Sequence, residues 1–483
     1  MAKIRTAEQL EKQKFREEKE LARLQREKAK PRLPGYILYF VLIITVVYMV
    51  DEITTQISSQ MQTIVGHELF APLVGEDVAV ARLTLVGTLT TLLQVFAFFY
   101  KTLSDRYGRK IFLVLNTIGM GLGMLITALA FNIPAYIVGA CIIAFFTPHD
   151  MQAVYIQECA PAEKRARMYS IIKCFATLSL LLVPLLRSVF ITDTDWSGWR
   201  GVYLVPAVIA FIVSVLAFFF MRETDVFIDS RIHQLTMTDA ERESELAKAN
   251  EENSQGGLFK GIAYAFKHKQ TRLLFIAASI LMMGICLTSY YENTMYYGFA
   301  SGYLSDGMDL VEAKKLVSPQ VTQALFLFPI GSALIQLVPG FIADRFGRKT
   351  STACMSIICV VTFILFYVGA NNGMNPYLVG FFSGAAVGGY WAAGDMLELM
   401  TGESTPTNVR VSVLTARNII SGILFVVSGA ITTTLANILG DEKIAIVCLI
   451  IAVPSVILTI VSLLFIKETK GTDMNTVKFT DYD

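Results

Sequence analysis

Ionisable side chains lie inside long apolar stretches of this 483-residue sequence, where a charge is costly unless it has a partner or a task. Asp51 and Glu52 stand near the end of one stretch, and Glu292 stands near the end of another. Burial disfavours the charged form of a carboxyl group and a nearby cation favours it, so such an acid can take up and release a proton. We predict Asp51 as the main proton site, with Glu52 and Glu292 next. Glu52 could instead only mark the outer boundary of its stretch.

Other polar residues in the apolar stretches suggest further proton and solute contacts. His149 lies between Pro148 and Asp150. An imidazole is a natural proton carrier and could equally contact a solute, although a neutral histidine satisfied by a backbone carbonyl is the plain alternative. Two arginines near the outer ends of their apolar stretches, as the acids are, could pair with the acids or bind an anionic solute. Four aromatic residues could form the walls of a solute site, or they could be ordinary packing residues. These residues are Arg82, Arg187, Tyr290, Tyr291, Tyr390 and Trp391.

The composition places these residues in a membrane. Hydrophobic residues make up 54% of the chain and charged residues only 17%, and the mean hydropathy is +0.53. Twelve apolar runs, each long enough to cross a bilayer as a helix, form two groups of six. Lys and Arg crowd both tails, the middle segment and alternate loops, which predicts cytoplasmic termini. The predicted runs cover 36–59, 78–100, 111–130, 135–157, 168–190, 201–221, 273–297, 320–343, 350–370, 377–399, 411–436 and 444–466.

The predicted fold class is therefore an all-α membrane protein with twelve transmembrane helices in two pseudo-symmetric six-helix bundles. The expected organisation is a charged cytoplasmic tail (1–35), a first six-helix half (36–221), a cytoplasmic middle segment (222–271), a second six-helix half (272–466) and a cytoplasmic C-terminal tail (467–483).

Three motifs occur twice in the same order. "LSDRYGRK" (103–110) matches "IADRFGRK" (342–349), "ECAPAEKR" (158–165) matches "ESTPTNVR" (403–410), and "FMRET" (220–224) matches "FIKET" (465–469). The chain is therefore predicted to be a duplicated six-helix unit, with both copies in the same orientation.

These motifs resemble those of the major facilitator superfamily, and in particular its sugar porter, organic ion and metabolite:proton symporter branches. The resemblance implies a solute site between the halves and transport by alternating access. Two features depart from the pattern. Lys101 stands where an opening glycine is usual, whereas Gly340 keeps it, and the seventh run, "SYYENTMYY", lacks the paired glutamines of sugar porters.

Charged residues near the cytoplasmic ends of the helices suggest a gate. Asp150 and Asp395 precede the motif glutamates by two turns, and we predict that they pair with Lys173 and Arg417 in one state only. Permanent structural pairs are the alternative.

The repeated motif loops could also hold the cytoplasmic ends of the helices together, through ion pairs and through contacts of acids with helix dipoles, or they could only enforce topology. The loop residues concerned are Asp105, Arg109, Glu158, Arg165, Asp344, Arg348, Glu403 and Arg410.

The predicted function is proton-coupled symport of a small organic solute, with sodium as the alternative ion because carboxylates serve both. An organic acid is favoured, a sugar or polyol is second, and an organic cation or drug exchanged for protons is third. A transporter-fold sensor is the other class considered. No catalytic set or metal cluster is apparent, so no enzyme, cofactor, metal or nucleic-acid partner is expected. We expect a monomer in a lipid bilayer, with a prokaryotic inner membrane favoured because no N-x-S/T site is present.

Overall fold

The computed structural model describes residues 7–30, 36–93, 107–147, 165–192, 195–237, 258–405 and 407–471, together with residues 96, 100, 104, 155 and 159. Within these residues every regular element is helical. Nine of the described helices are long and apolar enough to cross a membrane. Shorter apolar helices fall in the second and fourth predicted runs, and a 28-residue helix covers the tenth. The protein is thus a multi-pass membrane protein, while the side that its termini face stays a prediction.

The helices between 36 and 220 are called the first group. A charged helix, α1 (Ala7–Ala29), precedes them, and several spans consist of more than one helix. The group contains α2 (Tyr36–Gln60), α3 (Gln62–Val65), α4 (Ala71–Val74), α5 (Ala79–Thr90), α6 (Arg109–Ala128), α7 (Ile133–Phe146), α8 (Arg165–Leu178), α9 (Leu182–Phe190) and α10 (Trp199–Phe220).

The helices between 269 and 465 are called the second group. Two helices of the middle segment, α11 (Asp225–Thr236) and α12 (Leu258–Lys267), come before them. The group contains α13 (Lys269–Met283), α14 (Tyr291–Ser305), α15 (Leu310–Phe346), α16 (Arg348–Asn371), α17 (Pro376–Glu403), α18 (Thr407–Leu439) and α19 (Ile444–Phe465). We call the end of the bundle that carries Gly108 and Gly347 the inner end, because the charge pattern predicts it to be cytoplasmic, and the opposite end the outer end.

Two spans are broken where they pass through the interior. The first span leaves helical geometry at Met61, which has φ −125° and ψ 8°, before α3 begins. The seventh span changes from α13 to a 3₁₀ turn, Gly284–Thr288, and resumes as α14 after Tyr290. A break at membrane depth frees backbone groups, which is tolerated where protein surrounds them. Both breaks lie next to buried charged residues described below.

Small residues set the spacing between α15 and α17. Gly380, Gly384 and Gly388 recur every four residues on one face of α17, and that face meets the backbone of α15. A β-carbon at Gly384 would lie 1.9 Å from the carbonyl oxygen of Phe328. Glycine is therefore required for the close approach, as in other small-residue contacts between membrane helices. This contact sets the position of α15, which carries several polar residues of the candidate site.

Gly384→Ala is expected to destabilise the protein strongly, because the added methyl group meets a backbone atom that cannot rotate away. Gly422→Ala is the matched control, since among the described residues no atom outside the neighbouring backbone of its own helix lies within 4 Å of a β-carbon placed there. The measurement is the yield of monodisperse protein and its thermal unfolding temperature in detergent. Equal behaviour of the two variants would contradict the tight α15–α17 contact.

Candidate functional site

A fully buried ion pair joins the two groups of helices. Arg187, near the end of α9, donates from Nη1 to Oε1 of Glu292, in the first turn of α14, over 2.8 Å. Both side chains are 0% exposed. Breaking such a pair by removing one partner typically costs about 3–5 kcal/mol, because an uncompensated charge is left in the interior. The pair therefore stabilises the contact between the two groups, provided that the remaining donors of Arg187 and acceptors of Glu292 are also hydrogen-bonded.

The break at Met61 supplies two of those hydrogen bonds. The carbonyl of Gln60, at the end of α2, accepts a hydrogen bond from Arg187. The backbone N–H of Thr63, in the first turn of α3, donates to Oε2 of Glu292 over 2.8 Å. Carbonyls at the end of a helix and N–H groups at the start of the next have no intrahelical partners. The buried charges thus bind the backbone groups that the break releases.

Hydroxyl groups complete the surroundings of the guanidinium. Nη2 of Arg187 donates to the Tyr296 hydroxyl over 2.9 Å, and Nε donates to the Thr322 hydroxyl over 3.4 Å. The Tyr296 hydroxyl in turn lies 3.0 Å from that of Ser318. Since Tyr296, Ser318 and Thr322 all belong to the second group, Arg187 is bound mainly by the opposite group.

A second contact between the groups caps a helix. Asp441, in the turn before α19, accepts through Oδ2 from the backbone N–H of Val80 over 3.0 Å. Val80 lies in the first turn of α5, where N–H groups are unpaired and a carboxylate is favoured. The amide of Asn293 also donates to the carbonyl of Asp441 over 3.2 Å. The second group therefore provides the N-terminal cap of a helix in the first.

A third contact is a charged cluster at the outer end. Glu76, between α4 and α5, accepts from Nζ of Lys314 on α15 over 3.4 Å and lies 2.9 Å from Nδ1 of His67. The Lys314 side chain is 0% exposed. Burial raises the pKa of Glu76, but the hydrogen bond from His67 and the charge of Lys314 outweigh it and lower the pKa below its ordinary value. Glu76 is therefore held as a carboxylate.

These three cross-group contacts are called the outer closure: Arg187–Glu292, Asp441–Val80 and Glu76–Lys314. The sequence pattern did not single out Glu76, Lys314 or Asp441. Charges at the ends of apolar runs are common, so nothing in the local pattern separates them from ordinary boundary residues. In the sequence, Glu76 and Asp441 are visible only as acids just before the second and twelfth apolar runs, and Lys314 only as a lysine before the eighth.

The inner end has a different kind of contact, formed within each group. In the second group, Glu468 accepts from the backbone N–H groups of Arg348 over 2.8 Å and Lys349 over 3.1 Å. Burial raises the pKa of Glu468, but hydrogen bonds from four backbone N–H groups outweigh it and lower the pKa. Gly347 has φ +99°, and a β-carbon there would lie 2.6 Å from Oε2 of Glu468. Glycine is thus needed for both the turn and the cap.

The first group repeats this arrangement. Glu223 accepts from the N–H groups of Arg109 over 3.0 Å and Lys110 over 3.2 Å, and Gly108 has φ +109°. The pKa of Glu223 is raised rather than lowered, because burial dominates over its backbone hydrogen bonds. We call these two capped turns the inner clamps. Each ties the start of its group's third span, α6 or α16, to the residues that follow its sixth span.

The inner clamp of the second group extends to the E-x-x-P-x-x-x-R motif. Nη2 of Arg348 lies 3.1 Å from Oε1 of Glu403, and Nη1 lies 3.3 Å from the exposed Asp344. The hydroxyl of Thr469 donates to the other oxygen of Glu403 over 2.6 Å. In the first group, Nη1 of Arg109 donates to the hydroxyl of Ser104 over 3.4 Å.

One face of α17 is polar and exposed toward the inner end. Trp391, Asp395 and Glu398 follow at helical spacing, and all three are exposed, Glu398 by 47%. Charged side chains within membrane spans usually face the interior of the bundle or water rather than lipid, so we expect this face to be turned toward water. Arg417 on α18 donates to Glu398 over 2.9 Å and to the carbonyl of Gly394 over 3.1 Å. Its observed partner, Glu398, lies one turn beyond the predicted partner Asp395.

The other predicted residues are mostly packed inside the groups. Asp51 is buried and Glu52 half-buried on α2; Asp51 lies about 13 Å along the helix from Gln60. Tyr290, Tyr291 and Tyr390 are buried: the Tyr291 ring stacks on Phe328, and the Tyr390 hydroxyl donates to the carbonyl of Leu281. Arg82 is exposed near the start of α5, and Lys173 is half-buried on α8.

Six predicted residues fall wholly or partly outside the part of the chain that the structure describes. Asp105, His149, Asp150 and Glu158 lie outside the described residues, as do the side chains of Arg165 and Arg410. The predicted gate between Asp150, Asp395, Lys173 and Arg417 therefore stays a prediction.

Almost the whole chain after the N-terminal tail matches one protein family. The model of the Major Facilitator Superfamily matches residues 36–313 and 309–481. The chain belongs to the Major Facilitator Superfamily. It is thus a membrane transporter and not an enzyme, and as in the rest of the superfamily its ligand is a small molecule.

Individual relatives of this transporter are distant. It is 22% identical over 418 residues to the glucose transporter GlcP of Staphylococcus epidermidis, a match that covers 78% of this chain and 83% of GlcP. It is 31% identical over 143 residues to the multidrug resistance protein MdtG of Salmonella paratyphi A, which covers 29% of this chain and 34% of MdtG. The inward open structure of the xylose transporter XylE from E. coli aligns with a TM-score of 0.61 at 16% identity, covering 91% of this chain and 98% of that one.

Glu468→Gln is expected to lower the free energy of unfolding of the transporter at neutral pH by about 1 kcal/mol, which is the usual contribution of a helix N-terminal cap. Because the pKa of Glu468 is lowered, the stability contributed by its carboxylate is present above the ordinary glutamate pKa of about 4.3 and is lost as the pH falls through the lowered value. The difference in unfolding temperature from the wild type should therefore be constant above about pH 5.5 and shrink below about pH 4.5. Glu442→Gln, at an exposed acid, is the control. A difference that grows on acidification would contradict the capping role.

Proposed function

We propose that this transporter works by alternating access and couples the movement of a small organic solute, with an organic acid favoured, to protons. The observation that supports this is the buried Arg187–Glu292 pair, which crosses between the two groups of helices. Its partners come from both groups, so opening of the outer end must break it. The formed outer closure and the exposed acids of α17 support a state in which solute would leave or enter at the inner end.

Glu292 is proposed as the main proton site, a role that the sequence pattern assigned first to Asp51. Protonating Glu292 would remove the charge that binds Arg187 and weaken the closure. The carboxylate of an organic acid could then take the place of Glu292 on the guanidinium, since arginine binds carboxylates in bidentate geometry. Proton and anion would thus enter together. Asp51, deeper toward the inner end on α2, would be a later proton acceptor.

A sugar or polyol is the second candidate solute. The glucose transporter GlcP matches most of this chain, and a neutral solute would have no need of Arg187. Hydroxyl and aromatic side chains around Arg187, such as Tyr296 and Ser318, could bind sugar hydroxyls once the pair opens.

The proposed setting follows the charge pattern. Both termini and the middle segment would be cytoplasmic, the transporter would act as a monomer, and its membrane would be a prokaryotic inner membrane. The two six-helix halves would be the moving bodies, joined by the segment 222–271.

The test uses the purified transporter in liposomes that contain a pH-sensitive dye. Organic acids, sugars, amino acids and organic cations are added one at a time, and internal acidification beyond leak in empty liposomes is measured. Organic acids are expected to acidify the interior. Glu292→Gln should reduce this signal to that of empty liposomes while exchange of labelled solute continues, because the neutral residue cannot carry a proton. Glu312→Gln, at an exposed acid on α15, should keep the wild-type rate.

The other outcomes are decisive in different ways. Acidification by sugars alone would favour the second candidate. Full proton coupling in Glu292→Gln would contradict the assigned proton site. Solute binding without flux in the wild type would contradict transport and favour a sensor.

A further inference from the structure

The charged cluster His67–Glu76–Lys314 is unequally divided between the two groups. His67, on the π-helical turn Gly66–Phe70, and Glu76 both belong to the first group, whereas Lys314 belongs to the second. Separation of the groups at the outer end would therefore break Glu76–Lys314 and leave His67–Glu76 intact. The Glu76 carboxylate thus binds one partner of its own group, His67, and one partner of the opposite group, Lys314.

The two partners bind different oxygens of the same carboxylate. Nδ1 of His67 lies 2.9 Å from Oε2 of Glu76, and Nζ of Lys314 lies 3.4 Å from Oε1. A neutral imidazole only donates a hydrogen bond, so the carboxylate charge remains available to Lys314. A protonated imidazole offsets that charge and repels the ammonium group. Protonation of His67 therefore weakens the contact between groups, and imidazoles change charge between about pH 5 and 8.

Protons can reach His67 from the outer surface. An open recess of about 460 Å³ is lined by His67, Glu68, Ala71, Pro72 and Glu76. The imidazole also packs nearly perpendicular to the Trp196 ring, with centroids 5.2 Å apart. Other titratable or charged groups on the described elements around it are Glu68, Asp77, Arg82, Asp195, Tyr297, Lys315, Asp441 and Glu442.

We propose that His67 makes the outer closure sensitive to pH, so that acid at the outer surface favours opening on that side. The transporter would then open toward the outer side when that side is acidic. This inference rests on the alternating-access part of the proposed function, and it concerns a contact of the outer closure that is separate from the Arg187–Glu292 pair. His67 acts through Glu76 as a positioning residue.

The experiment measures the distance between the groups without any solute. Spin labels are attached at Leu73→Cys and Asn371→Cys, both exposed at the outer end, after replacement of the seven native cysteines. Pulsed electron resonance in lipid nanodiscs gives the populations of short and long distances. Between about pH 7.5 and about pH 5.5 the ratio of long to short distances is expected to rise about fivefold or more in the otherwise wild-type chain.

Variants separate the charge of His67 from its packing. His67→Gln, which keeps a hydrogen bond but stays neutral, should show a clearly smaller rise on acidification than the parent, because only protonation of Glu292 is then left to weaken the closure. His67→Arg, which is always charged, should raise the ratio of long to short distances above that of the parent already at the higher pH. His233→Gln, on α11 at the inner end, should respond to pH like the parent. An unchanged distance in the parent, or a full pH response in His67→Gln, would overturn the proposal, and neither result depends on whether flux is observed.

Discussion

Arg187 and Glu292 place two opposite charges where neither side chain touches water. Removing such charges from water costs several kcal/mol each, and only close pairing with further hydrogen bonds offsets this. Here the further bonds come from the backbone freed at Met61 and from hydroxyl groups of α14 and α15. Because these partners belong to both groups, the charges are satisfied only while the outer end is closed. Any open state must neutralise one charge or supply a replacement for it.

In the part of the chain that the structure describes, the contacts named above connect different elements at the two ends of the bundle. The outer closure connects one group to the other, whereas both inner clamps connect elements of the same group. A carboxylate that caps a helix within one unit, as Glu468 does, makes that unit more rigid. A carboxylate that binds across units, as Glu76 does, can be broken as the units separate. This division suits rigid-body motion of two units about a site between them.

The inner clamps are repeated and the outer closure is not. Glu223 and Glu468 occupy matching positions and cap matching helices, each beside a glycine with positive φ. In the outer closure, by contrast, Arg187 and Glu76 have no equivalents with the same role in the second group among the described contacts. The repeated inner clamps stabilise each unit in the same way. The complementary charges between the units come from positions at which the two copies differ.

The sequence by itself determined the apolar spans, the duplication and the superfamily, because hydropathy and repeated motifs are local properties of the chain. It also named Arg187 and Glu292 as charges inside the apolar runs and offered pairing of the arginines with the acids as one possibility, but it did not say which arginine pairs with which acid. In the repeated motifs it predicted arginine–carboxylate bridges, while the caps formed by Glu223 and Glu468 on backbone N–H groups emerged only in three dimensions. Glu76, Lys314, Asp441 and Glu398 were not singled out, since each looks like an ordinary charge near a helix end. Their partners lie far away in the chain, and only the packing of the helices brings them within hydrogen-bond distance.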